Sequence, residues 1–142
     1  MARRPPGAIR SQRWPARSDA RPIHQIPGIS RRTRSAIHRI EAQHLGRGAV
    51  AEALHRYERF LHQPGRYLYL PWDDCPCCDP VDARDVLEDA FRRLPPAARA
   101  GLRRIVARLD EEFLRRTLPD PWAASVSSWH AAAWWRQRIR EI

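Results

Sequence analysis

From residue 30 onward, apolar positions recur at helical spacing through most of the chain. Ser30 precedes a first pattern, Arg31 to Leu45, in which Ile37, Ile40 and His44 share a stripe; a serine at that point caps free helical N–H groups. Gly46 and Gly48 interrupt the pattern, and Val50, Ala53, Leu54, Tyr57, Phe60 and Leu61 resume it until Pro64-Gly65. A third helix opens at Asp79-Pro80, with Asp82 as the rival cap, and turns Val86, Leu87, Ala90, Phe91 and Leu94 inward. Pro95 and Pro96 end it and pre-set the next helix, about Ala97 to Thr117. Leu102, Ile105, Val106, Leu109 and Phe113 form its apolar stripe. Glu111→Arg115 and Glu112→Arg116 are spaced as ion pairs on its wet side. A last helix, from Ser127 or Ser128 to Ile142, puts Ala132, Trp135, Ile139 and Ile142 inside and leaves Trp134 and Arg138 outside. Between the second and third helices, Arg66–Pro71 reads as a strand-like connector laying its rings on the bundle, followed by a loop to Asp79. The pattern predicts an all-α protein: a small bundle or irregular array of about five helices with one short extended segment.

Residues 1–29 differ. Pro5, Pro6, Pro15, Pro22 and Pro27 exclude a continuous helix or strand, and few apolar residues offset the entropy of ordering. The expected organisation is a disordered Arg/Pro-rich arm over 1–29 and a single helical domain over 30–142. All 26 basic residues are arginine. That reflects GC-rich codons of an actinomycete-like bacterial genome as readily as chemistry, so a high pI alone does not imply nucleic-acid binding. The placement of the charge is more telling: eleven arginines face two acids over residues 1–47, and fifteen face fourteen over 48–142. No run reaches the roughly 20 apolar residues of a membrane span, and Arg3-Arg4 lead into prolines instead of an apolar signal segment. A cytoplasmic, membrane-free location is the expectation.

Three features carry candidate chemistry. Cys75, Cys77 and Cys78 lie within a Pro-containing turn, and Cys75-Pro-Cys-Cys78 has the spacing with which two thiolates reach one zinc. His55 and His62, seven residues apart on one helical stripe, would complete a structural site, with Cys77 as a further ligand. The same loop reads otherwise as soft packing or as a thiol-redox motif. The arm is the second feature. Arg10, Arg13, Trp14 and Arg17, continued by Arg31, Arg32 and Arg34, could hold a polyanion such as nucleic acid or an acidic protein. Third, Trp134 beside Arg138 suggests a partner surface, including homodimerisation through the last helix.

The run Leu87-Glu-Asp-Ala-Phe-Arg-Arg-Leu-Pro-Pro-Ala-Ala-Arg99 resembles the start of the last DNA-binding region of bacterial sigma factors, where a Leu-Pro helix end leads into a helix-turn-helix. After Leu109 this chain continues as one helix without a turn, so no function is carried across. Catalytic motifs, a phosphate-binding glycine loop and H-E-x-x-H are absent from the sequence. The leading expectation is a non-catalytic binding or adaptor module whose basic arm engages nucleic acid or an acidic partner. A zinc-stabilised domain and a thiol-redox protein are the alternatives.

Overall fold

The computed structural model describes residues 24–72, 75 and 78–141. Among them are five α-helices: α1 (Arg31–Ile40), α2 (Ala49–Leu61), α3 (Pro80–Arg93), α4 (Pro96–Arg116) and α5 (Ser128–Ala132). Ser30 caps α1 by accepting from Thr33 N, and Asp79 caps α3 by accepting from Val81 N. α4 starts at Pro96 and runs unbroken to Arg116.

The first helical pattern does not stay α-helical to Leu45. It widens into a π-turn over Glu41–Leu45, so His44 is exposed and Glu41 goes inside. The carboxylate of Glu41 then accepts from Gly48 N and Val50 N, each at 3.0 Å, and caps α2, which has no side-chain cap of its own. Gly46 and Gly48, at φ of +87° and +77°, make the reversal that brings the start of α2 onto that carboxylate.

α2 lies along α3, and α1 and α4 pack across them. Tyr57, Phe113, Leu87, Leu102 and Val106 fill the centre of the core. At the far end of α2, Arg116 is buried instead of wet: it donates to the carbonyl of Leu61, an orphan acceptor of that helix end, and to those of Gln63 and Gly65 in the turn that follows. Glu112 accordingly takes Arg115 as its close partner, with Arg116 at 3.8 Å; the expected Glu111–Arg115 pair is not formed.

Two segments depart from expectation. In the connector, Leu68 and Leu70 are buried, while Tyr67 and Tyr69 stand nearly half exposed, so the leucines and not the rings pack on the bundle. The last helix is short. Ala133 has extended φ/ψ, a 3-10 turn covers Trp134–Arg136, Gln137 makes a bend, and residues 138–141 run between two neighbours. Ile139 N donates to Leu118 O and Glu141 N to Leu70 O, with bridges at Leu70–Arg140 and Pro119–Arg138. These tertiary acceptors replace the i−4 carbonyls on which a helix to Ile142 would have relied. Ala132 is therefore exposed, Trp135 is buried and Ile139 partly so. Ile142 lies outside the described residues.

The expected arm also divides. Residues 1–23 are outside the described part, whereas residues 24–29 form a strap with Ile26 buried in the core.

Candidate functional site

Acidic side chains concentrate on α3 and at the C-terminal end of α4, where arginines meet them. Buried Arg84 donates to Asp110 through Nε at 3.0 Å and Nη2 at 3.1 Å, and to Glu88 at 3.2 Å, with its guanidinium 4.3 Å from the Trp135 ring centre. Tyr57 donates its hydroxyl to the same Asp110, and burial first, then that carboxylate, pushes the phenol far above its usual range. Arg136 bridges Asp82 and Asp85, and Trp135 Nε1 donates to Asp85 at 2.7 Å. Burial works against the charge of Arg136, but Asp85 and Asp82 together outweigh it and raise the guanidinium's pKa. Burial and the neighbouring Asp79 raise the pKa of Asp82. Arg93–Asp89 and Arg140–Asp79 close the network, each at 3.0 Å. A groove of about 540 Å³ between α3 and residues 129–135 runs over these groups.

The opposite side has no such balance. α1 contains Arg31, Arg32, Arg34 and Arg39 and no acid. The stretch of α4 from Pro96 to Leu109 contains Arg99, Arg103, Arg104 and Arg108, again with no acid. The two helices meet closely: a Cβ on Gly101 would lie 3.1 Å from Thr33 Oγ1. Arg104 and Arg108 follow Gly101 by three and seven residues, which places them on the flank of α4 that borders α1. Ile105, between them, faces the strap beside His24 and Pro27. Arg99 and Arg103 turn the other way, toward Leu94 O and the Phe91 ring.

Arg31, Arg32, Arg34, Arg39, Arg104 and Arg108 are all exposed, and among the described residues none is in an ion pair. The side chains around residue 24 thus form a cationic face that the described residues do not neutralise. Arg31, Arg32 and Arg34 were legible as candidates; Arg10, Arg13, Trp14 and Arg17 lie outside the described residues. Arg104 and Arg108 were missed because the near-balance of residues 48–142 hides a segregation within them. The acid-free run from Pro96 to Leu109 was the available signal.

The remaining candidates are not gathered as expected. Among the described residues, no group of three or more His, Cys, Asp or Glu is arranged to hold a metal ion. His55 stacks on His24, His62 Nδ1 contacts Glu58 O at 2.7 Å, Cys75 is disulfide-bonded and Cys78 is exposed. Cys77 lies outside the described residues. His55 thus lies against the strap and His62 stays exposed, and among the described residues neither is gathered with Cys75 and Cys78 into a metal-holding group.

Trp134 does not face outward. It packs edge-on against Phe113 and Trp135, and Arg138 donates to Thr117 Oγ1 and Thr117 O. The early end of the last helix rotates both side chains from the surface expected of them. Among the described residues, the exposed tryptophans are Trp72, Trp122 and Trp129. Among the described residues, no helix is long and apolar enough to cross a membrane. Comparison with protein-family models, with curated proteins and with solved structures found no match to this chain.

Proposed function

We propose that the chain is a non-catalytic binding module that holds the phosphate backbone of a nucleic acid against α1, α4 and the arm formed by residues 1–23. The observation that carries this reading is the segregation of charge: among the described residues, the arginines of α1 and of the α4 flank that borders it stand exposed without carboxylates, while Arg84, Arg93, Arg136 and Arg140 on the α3 side are ion-paired. An unneutralised arginine face attracts a polyanion chiefly by releasing its counterions. Arginine's planar fork also suits phosphate oxygens better than a point charge does. The arm adds six more arginines and Trp14, a ring on which a base can stack.

Fluorescence anisotropy with a labelled duplex and a single strand of equal length tests the reading. Arg104→Gln/Arg108→Gln is expected to weaken binding about tenfold and to lower the slope of log K against log salt by about 2, at roughly 0.9 per phosphate contact. Deleting residues 1–23 is expected to lower it further. Binding unchanged by both alterations would sink the proposal. Equal binding of polyglutamate would move it to an acidic protein partner.

A further inference from the structure

We infer that His24 and His55 form an acid-released latch that fastens the strap of residues 24–29 onto α2. The two rings lie face to face, centroids 4.0 Å apart and 14° from parallel, and His24 Nε2 stands 3.5 Å from Glu52 Oε2. Glu52 and His55 are three residues apart on α2, so one helical face offers His24 both a ring to stack on and a carboxylate. Behind the latch, Ile26 is buried in the core, and a cleft of about 170 Å³ remains beside it against Ile37 and Ala51.

Stacking of this kind suits neutral rings, or one neutral and one charged. One charged ring beside the Glu52 carboxylate leaves the stack intact, and that state keeps the latch shut. A second proton, on His55, sets two like charges face to face. The surroundings do not absorb it. α1 contributes Arg34 and His38 to the clefts around His24, the π-turn after it contributes Glu41, and α2 contributes Glu52 and Glu58. α4 contributes only the apolar Ile105. With all three histidines protonated, four cations meet three carboxylates, and one of these, Glu41, is already turned onto the N–H groups of Gly48 and Val50. The strap is a short non-helical segment turned at Pro27-Gly28, with Ile26 as its single buried side chain, so it is the element that yields.

The latch does not rest on what the basic face binds. If that face holds nucleic acid, release of the strap extends the arm back to residue 29 and adds positive charge beside Arg34 in the same step.

Methyl resonances read with a soluble paramagnetic gadolinium chelate test this. Between about pH 7.5 and about pH 5, where histidine takes up its proton, relaxation of the Ile26 methyls is expected to rise several-fold while Leu102 stays protected. His55→Phe keeps the stacked ring and removes the second charge, so Ile26 is expected to stay protected over the same range. His24→Phe, which retains a ring on the strap side, is expected to behave alike. Unchanged Ile26 relaxation in the wild type, an equal rise in both variants, or simultaneous loss of protection at Leu102 would overturn the latch. Nucleic-acid binding, measured separately at about pH 7.5 with the strap closed, reports on the proposed function alone.

Discussion

Arg84 shows how a single charged side chain organises the interior. Only 5% of it is exposed, and it carries a full charge between Asp110 and Glu88 while its flat face rests on Trp135. Such an ion pair is weak evidence of net stabilisation, since removing both charges can leave a fold as stable as before. Losing one partner is a different matter. Arg84→Met preserves bulk but strands Asp110, which also accepts from Tyr57. The expected cost is about 3–5 kcal/mol, read as a fall in the urea midpoint. Adding Asp110→Leu should recover much of it by removing the uncompensated charge, and a double variant no better than Arg84→Met would contradict this account. Arg84 lies on the inner face of an amphipathic helix, between Val81 and Leu87, where sequence periodicity has no reason to place a guanidinium. Its burial was not legible because the partner that makes it tolerable lies 26 residues away.

At the scale of elements, the helices that proved legible are those with a local signal at each end. Ser30, Asp79 and the Pro95-Pro96 pair announce the starts of α1, α3 and α4, and the Gly46–Gly48 and Pro64-Gly65 breaks bound α2. The C-terminal segment has no stop signal, and its apolar spacing fits a helix equally well. The choice falls to distant carbonyls, those of Leu70 and Leu118, which no local pattern discloses. Removal of residues 137–142 separates the two conformations. A terminal helix would take a measurable part of the circular dichroism at 222 nm with it. The extended segment observed would leave that signal almost unchanged at low temperature. Stability would still fall, because the truncation removes the backbone bonds at Leu70 and Leu118 and the Arg140–Asp79 pair. The expected loss is about 2–4 kcal/mol, at about 1 kcal/mol per hydrogen bond. A proportionate loss of helical signal would restore the longer helix.

For the molecule beyond residue 23, charge is divided between two sides that are expected to respond to salt in opposite directions. On the α3 side, the outer pairs, such as Arg93–Asp89 and Arg115–Glu112, lie at the surface; each contributes at most about 1 kcal/mol, and salt weakens them. The inner pairs of Arg84 and Arg136 are shielded from solvent and respond little. On the other side, the arginines of α1 and α4 repel one another without compensation, and salt relieves them. Because the unpaired charges are all exposed and the strongest pairs are not, relief is expected to win. Raising sodium chloride from about 20 mM to about 200 mM shortens the screening length from over 20 Å to under 10 Å and should raise Tm by several degrees. Arg104→Gln/Arg108→Gln removes part of that repulsion in advance. The variant is therefore expected to start from a higher Tm in dilute buffer and to gain less from salt. A basic face that the fold merely tolerates would make the protein less stable alone than in contact with a polyanion, and this differential scan measures that cost without supplying the polyanion. If Tm instead falls with salt in both proteins, the surface ion pairs dominate, and the α1–α4 face is not electrostatically strained.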